Sequence, residues 1–520
     1  MTDADVIIAG AGPTGLMLAA ELRLAGVRPL VLEKHAQPRE TQKAMGLGGQ
    51  ILHLLRYRGL LERCEAATTD PIPPARFPFG GIHVDLTQLT DSPLEGLPLP
   101  QTRLERILDE YVGELGADVR RGHEVVGVDQ DEAAATVQVH GPDGPYRATA
   151  RYLVACDGGR SPVRDMAGIP FPGTTYPEIN RLAVVTAHES VTVLDNGEID
   201  IPGMGRIGTG FIRSERGVFG FGSVTSGVLM FSVTEDESTE FDDATPMTLT
   251  EFQDSVRRVL GSDIPLGDPL RLTRFTFKDR HVERYRDGRV LIAGDAAHLL
   301  PSTGVGLNAG MLDAVNLAWK LAGEIQGWAP PGLLDSYHAE RHFAGSRALL
   351  QTRAQVALRR SLDPAADALR QVFQELLADE QPARRIGAMI SGADIRYPLP
   401  GADRHPLIGA FAPDLALRTE EGFTSVAELM HAARPVFLNL ADRPELRAVV
   451  REWEGRIDIV SAETEHPTAD AVLIRPDAHI AWAVTADEPV ETALVTLRDA
   501  LSSWFGAPSK ATVLAADRIG

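Results

Sequence analysis

The sequence predicts an α/β fold in three parts: a doubly wound unit with a parallel sheet, a mostly antiparallel sheet inserted into it, and a smaller α/β unit at the C-terminal end. Three observations carry that prediction. The chain opens with an apolar strand, a glycine turn and a helix. Two later strands, far apart in the chain, also run into an acid and glycines, at Asp157 and Asp295. Between those two stretches the pattern changes to alternating apolar residues with glycine turns, as antiparallel strands require.

The totals set the bounds. The chain has 520 residues, enough for two to four domains, with 44% hydrophobic and 24% charged residues, a soluble globular balance. Lys plus Arg is 51 and Asp plus Glu is 72, a net charge of -21. That balance argues against nucleic acid as a partner, since phosphate binding needs a basic face, and against a polybasic membrane anchor. No apolar run reaches the length of a membrane span. The start MTDADVIIAGAG has no basic n-region of a signal peptide. Cys64 and Cys156 form no metal-spaced cluster. The expectation is two reduced cysteines in a cytoplasmic protein, and no metal.

Residues 5–9 (DVIIA) read as a strand, followed by Gly10-Ala-Gly12-Pro13-Thr14-Gly15 and a helix over 16–25. A second strand over 29–32 ends in Glu33 and Lys34. From Gly10 to Glu33 is 23 positions, close to the roughly 20-residue offset of a Rossmann-like dinucleotide fingerprint. Gly10 permits the tight turn, Gly12 lets backbone approach a pyrophosphate, and Gly15 lets helix and strand pack closely. Glu33 can hold a ribose hydroxyl pair. Residues 43–58 read as a helix whose glycines (46, 48 and 49) would let backbone lie against a flat ring. Residues 101–115 form another helix, with Leu104, Ile107, Leu108, Val112 and Leu115 on one face. Strands follow over 124–128, 136–139 and 146–154, with a turn at 141–144. The last strand runs through Cys156 into Asp157-Gly-Gly-Arg-Ser161-Pro-Val-Arg164. Ser161 is a helix cap there, and Arg164 falls in the first turn.

From 182 to about 233 the alternation predicts the antiparallel sheet, a candidate substrate platform because such a sheet can keep one face open. The acidic stretch 234–243 reads as a solvated loop, 249–260 as a helix and 270–277 as a strand. Then comes the stretch the chain is organised around, RVLIAGDAAHLLPSTGVGLN over 289–308. Its apolar run is a buried strand ended by Gly294 and Asp295. Pro301, Gly304 and Gly306 make a turn, and Asn308 leads into a helix over 309–325. A carboxylate beside a helix start can hold a polar, partly anionic ligand. Helices follow over 334–360 and 365–377. The tail from about 405 has its own order: a helix over 426–433 with Ser425 and Glu428 spaced as a capping box, strands over 436–440 and 457–462, a hairpin across 476–478, and a closing helix over 490–505.

GAGPTG at 10–15, DGGRSPVR at 157–164 and GDAAHLLPSTGVGLN at 294–308 together resemble the FAD-dependent aromatic hydroxylases of the para-hydroxybenzoate hydroxylase class. The tail is similar to that of the branch holding the aromatic-polyketide hydroxylases, rifampicin monooxygenase and phenol hydroxylase. There it forms a thioredoxin-like unit, here without a C-x-x-C. The resemblance implies a discontinuous FAD-binding domain over 1–175 and 271–395, a substrate-binding β-sheet domain over 176–270 and a thioredoxin-like domain over 396–520. It implies FAD contacts from Gly10, Gly12, Pro13, Thr14 and Gly15 to the pyrophosphate and from Glu33 and Lys34 near the adenosine ribose. Val125 would meet the adenine and Gln101 would lie near the ribityl chain. Asp157 and Arg164 belong to a motif tied to both FAD and NAD(P)H. Asp295 would bind ribityl hydroxyls, with Pro301, Gly306, Leu307 and Asn308 by the flavin ring. The family usually has Arg where this chain has Lys43, and a different tripeptide at 48–50. Lysine cannot repeat a bidentate guanidinium contact.

The implied activity is an NAD(P)H- and O2-dependent monooxygenase acting on a polycyclic aromatic substrate through a flavin C4a-hydroperoxide, with no side chain assigned as catalytic. Baeyer–Villiger insertion on the same scaffold is the first alternative. A flavin protein that binds a reactive intermediate without turnover is the second. NADH or NADPH would bind transiently, since only one dinucleotide fingerprint is present. The halogenase signature W-x-W-x-I-P is absent. His298 reads as a structural residue behind the flavin rather than a base. The chain is expected to act as a monomer or homodimer.

Overall fold

The computed structural model describes residues 2–40, 44–68, 76–194, 198–208, 210–225, 227–235, 245–301, 305–360, 363–465 and 467–508. Its central sheet has six strands in the order Arg286–Asp287, Val290–Ile292, Tyr152–Ala155, Val6–Ala9, Pro29–Glu33, Asp118–Arg121. All neighbours are parallel except the first pair. Val6–Ala9, Tyr152–Ala155 and Val290–Ile292 are buried throughout. That is why they read as unbroken apolar runs: helices cover both faces of a parallel sheet. The helix Pro13–Leu24 starts with proline at its first position, where a missing N–H costs nothing. It packs along Val305–Gln326.

The inserted sheet is antiparallel, ordered Gly210–Ser214, Gly217–Thr225, Val228–Glu235, Gly173–Thr186, Pro269–His281, His298–Leu299. Its last strand comes from the 289–308 stretch: His298 pairs with His281 and Leu299 with Arg280. Sheet and acid-bearing turn are therefore one hydrogen-bonded body. Ala183, Val185, Phe219, Phe231 and Val233 bury one face beneath the helix Leu249–Leu260. On Val228–Glu235 the alternate residues are only half-buried, which leaves the second face free for another use.

The C-terminal sheet is ordered Asp458–Ser461, Val436–Asn439, Ala471–Ile474, Ile480–Val484, with only the first pair parallel. The helices Pro444–Val450 and Val490–Phe505 accompany it, a thioredoxin-like arrangement. The capping box at Ser425 and Glu428 is present, on a helix that spans only Val426–Leu429.

Three expectations are corrected, and one helix is added. The helix expected over 43–58 begins only at Gln50, after a short strand, Leu47–Gly48, paired to Gly96–Leu97. A side chain at Gly49, which sits at φ +72, would stand 2.4 Å from the Ser391 carbonyl oxygen. The strand expected over 146–154 is two, Gly144–Ala150 and Tyr152–Ala155, which lie in different sheets. The acidic stretch is not all solvated. Thr234 and Glu235 end a strand, and Glu235 is buried between Arg181 and Arg258; residues 236–244 lie outside the described residues. The helix Glu380–Ser391 was not anticipated, although Ala383, Gly387 and Ile390 are buried along one face of it.

Candidate cofactor cleft

A cavity of about 320 Å³ opens at the C-terminal ends of the parallel strands. Chain order reverses there: Pro29–Glu33 lies on one side of Val6–Ala9 and Tyr152–Ala155 on the other. Open α/β sheets bind ligands at such a switch point. The cavity is within the size range of small-molecule sites.

Each wall follows from a strand end. After the first strand, Gly10 takes φ +103, and a side chain there would stand 2.5 Å from the Cys156 carbonyl oxygen. A side chain at Gly12 would meet nothing within 4 Å, so bare backbone faces the cleft. Gly12 caps the Pro13–Leu24 helix with no side-chain cap. The first-turn N–H groups therefore remain for a ligand, at the positive end of the helix dipole. Pro13 and Thr14 line the cleft. Gly15 does not; a side chain there would stand 2.0 Å from the Gly10 carbonyl oxygen, so its place is helix-to-strand packing.

After the second strand, Glu33 lies on the wall with its Oε2 accepting from the Ala11 amide (2.9 Å) and its Oε1 from the His35 amide (2.8 Å). Lys34, Gln101 and Val125 also line the cleft, Gln101 donating to Glu105 at 2.7 Å. After the third strand, Asp157 accepts from the Val163 amide at 3.2 Å. Burial raises its carboxyl above the usual range, against hydrogen bonds from Ser161 and Val163 that lower it. Its Oδ1 is buried with no partner among the described residues. After the fourth strand, Asp295 stands exposed in the cleft on the turn Gly294–Ala296. A side chain at Gly306 would come within 3.5 Å of Asp295 Oδ1, so the carboxylate faces the start of the Val305–Gln326 helix. Gly306 and Leu307 complete that wall.

Besides Gly15, three residues expected at the cofactor stand back from the cleft. Arg164 is buried, donates at 3.2 Å to the carbonyls of Gly159 and Ala296, and lies 4.0 Å over the Phe171 ring. It ties the Asp157 loop to the Asp295 turn, because its long fork reaches backbone on both. Pro301 is buried outside the lining. Asn308 donates to the Gly48 carbonyl at 2.9 Å, and its Oδ1 is buried with no partner among the described residues. Lys43 and Gly304 lie outside the described residues.

Sequence reasoning missed His35, Arg39 and Arg121, which line the cleft; they sit in polar stretches without periodicity. It also missed Asp313 beneath the Asp295 turn. Asp313 Oδ2 accepts from the Gly294 amide (3.0 Å) and meets His298 Nε2 (2.8 Å), and Oδ1 accepts from Arg341 Nε (2.6 Å). Burial raises its carboxyl pKa, but Arg341 and His298 outweigh that and hold it at about 2. His298 is buried in this network, a structural place and not a base poised at the cleft.

FAD fits these walls. It brings a pyrophosphate for the uncapped helix start and bare Gly12. Its ribose and ribityl hydroxyls suit Glu33 and Asp295, and its flat polar ring suits Gly306 and Leu307. The unsatisfied oxygens of Asp157 and Asn308 mark polar demand left for a ligand or water. Cleft and adjoining antiparallel sheet thus define a flavin-dependent oxidoreductase with a separate substrate surface. The FAD binding domain family matches residues 3–352, and the aromatic-ring hydroxylase C-terminal family matches 405–508. The chain belongs to the FAD-binding aromatic-ring hydroxylases, and it is an FAD-dependent monooxygenase of the class that uses NAD(P)H and O2. It is 41% identical over 514 residues to the 12-dehydrotetracycline 5-monooxygenase/anhydrotetracycline 6-monooxygenase of Streptomyces rimosus, covering 97% of this chain and 99% of that one. It is 38% identical over 510 residues to the dialkyldecalin synthase of Streptomyces rugosporus, covering 96% and 98%. The crystal structure of CabE, an aromatic hydroxylase from angucycline biosynthesis, superposes with a TM-score of 0.86 at 37% identity, covering 98% of this chain and 100% of that one.

Proposed function

We propose that this chain hydroxylates a polycyclic, polyketide-like aromatic substrate carried on the open face of the antiparallel sheet. The observation behind this is the convergence of Gly12, Glu33, Asp157, Asp295 and Gly306 on one cleft, beside a sheet hydrogen-bonded to the Asp295 turn. Relatives with tetracycline and angucycline names support the substrate class. FAD, when bound, supplies the redox chemistry, taking electrons from NAD(P)H and activating O2 for transfer to an electron-rich ring. The chain supplies the rest. The backbone of Gly12, Pro13 and Thr14 holds the pyrophosphate, Glu33 the ribose and Asp295 the ribityl hydroxyls. Arg164 positions the two acid-bearing loops. The Val305–Gln326 helix start favours negative charge at its Leu307 end, by its dipole and free N–H groups. A substrate seated on the open sheet face would exclude water from the reacting region.

The division into units over 1–175 with 271–395, 176–270 and 396–520 is part of this reading, as is action inside the cell as a monomer or homodimer. No described helix is long and apolar enough to cross a membrane.

The test is NADPH oxidation by the purified yellow protein, with and without a panel of aromatic polyketides, followed by product mass. A gain of one oxygen with the rings intact supports hydroxylation; ring expansion indicates Baeyer–Villiger insertion. One observation favours a second reading, conversion of a substrate with no net oxidation: a relative 38% identical over nearly its whole length is named a synthase. Substrate converted with no NADPH consumed, and no oxygen gained, would support that reading.

A further inference from the structure

A second buried polar network lies away from the cleft, yet it reaches the helix that forms the cleft's edge. The strands Ala471–Ile474 and Ile480–Val484 are joined by a tight turn over 475–478. Arg475 and Asp477 are buried in it, although both are charged. Ala478 stands at φ +61, a left-handed conformation that residues with side chains seldom take. Connecting turns ordinarily lie on the surface; this one is driven into the neighbouring unit.

Its contacts are specific. Arg475 donates to both oxygens of Glu340, at 2.8 and 2.7 Å, and to both of Asp477, at 3.0 and 2.5 Å. Asn316 Nδ2 donates to Glu340 (2.6 Å) and Asp477 (2.8 Å). Lys320 Nζ donates to Asn316 and Glu340, both at 2.9 Å. The Pro476 carbonyl accepts from Arg58 (2.6 Å), which pairs with Glu21 of the first helix. Asn316 and Lys320 belong to the Val305–Gln326 helix, whose first turn presents Gly306 and Leu307 to the cleft. Asp313, one turn before Asn316, holds the Gly294 amide. One helix therefore carries the cleft edge, the anchor of the Asp295 turn and the ties to the C-terminal hairpin.

We propose that the 475–478 turn is a positioning element for FAD: through Asn316 and Lys320 it fixes the placement of the Val305–Gln326 helix, and with it Leu307, Asn308 and the Asp295 turn. This rests on the reading of the cleft as the FAD site. Apolar side chains would fasten two units equally well, since replacing a buried ion network by good apolar packing is often neutral or stabilising. What a network of directed hydrogen bonds adds is one register.

The test uses the full chain with Asn316→Ala, which cuts the helix's direct bond to Asp477 and leaves the Lys320–Glu340 and Arg475–Glu340 pairs, and with Asp477→Asn. FAD is titrated into the apoprotein, the flavin midpoint potential is measured at saturating FAD, and the thermal midpoint is recorded. The expected result for Asn316→Ala is a dissociation constant for FAD raised ten-fold or more, and a lower potential at saturation because the helix start no longer sits at the ring edge. Asp477→Asn, which keeps an acceptor oxygen, should give an intermediate effect; if it does not fold, Asn316→Ala decides. An Asn316→Ala protein with a lowered thermal midpoint, FAD affinity within two-fold of the parent and an unchanged potential would overturn the proposal, leaving the turn as a fastener only. An unsubstituted protein that cannot take up FAD would instead remove the cofactor reading, and the proposal with it.

Discussion

At the residue scale, two charged groups carry predictions. Arg39 is exposed on the cleft wall, with His35 beside it at 3.2 Å. Its guanidinium is one of the cationic side chains on that wall, with Lys34 and Arg121. A hydrogen bond to a charged group contributes about 1.5–3 kcal/mol. Arg39→Ala should therefore weaken FAD binding by roughly ten-fold or more, read by fluorescence titration of the apoprotein, while the thermal midpoint of that apoprotein stays put. Asp313 carries the pH prediction. Its folded pKa is depressed to about 2 from 3.8, although burial alone would raise it, because Arg341 and His298 favour the charged form. The sign follows: its contribution, roughly 2 kcal/mol at one pKa unit per 1.36 kcal/mol, is full above about pH 4 and is lost as pH falls toward 2. Asp313→Asn should flatten the acid limb of the stability curve in that window. It should also cost about 3–5 kcal/mol at neutral pH, because Arg341 is left buried beside a neutral group. Urea titrations across pH measure both.

At the scale of elements, the fingerprint can be read glycine by glycine. Gly10 and Gly12 act on the ligand side, and Gly15 acts behind them. A methyl at Gly15 would sit 2.0 Å from the Gly10 carbonyl oxygen, so the Pro13–Leu24 helix would have to lift off the strand. Gly15→Ala should destabilise the fold by about 1–3 kcal/mol, the usual range for overpacking. The protein should also purify with less than stoichiometric flavin, because the lifted helix carries the pyrophosphate site with it. A flavin absorbance per chain equal to that of the parent would contradict this account. The same element shows what a sequence discloses. Strand, turn and helix were legible over 5–33 because buried apolar runs and glycines are local signals. The 43–58 segment was misread because its breaks depend on Leu97 and Ser391, far away in sequence. Arg164 was legible as a member of its motif but not in its role, since its partners Gly159 and Ala296 declare themselves only in three dimensions. Arg121 on the cleft wall left no local trace for the same reason.

At the scale of the whole molecule, the hidden feature is how firmly the tail is joined to the rest. Composition and turn signals indicate a boundary near residue 400, and a chain with such a boundary is ordinarily expected to unfold in steps. The contacts across it argue otherwise. Arg58 donates to the Met430 and Pro476 carbonyls, Tyr57 to the Ala412 carbonyl at 2.7 Å, and Arg475 to Glu340, all from buried positions. Tyr57 and Trp319, from the first unit, pack within the same apolar cluster as Phe437, Trp453 and Phe505 of the tail. Opening that seam alone would break the Arg475–Glu340 and Asn316–Asp477 bonds, leaving the Lys320–Glu340 and Arg475–Asp477 pairs, and would split the shared apolar cluster. Calorimetry of the full chain should therefore show the tail unfolding together with the FAD-binding unit in a single transition, with calorimetric and van't Hoff enthalpies in agreement for that transition. Saturating FAD should raise the midpoint of the whole transition through the Val305–Gln326 helix, which carries Gly306 and Leu307 at the cleft and Asn316 and Lys320 in the network with the tail. A scan in which the tail melts first, at a temperature indifferent to FAD, would show that the seam transmits nothing from the cleft.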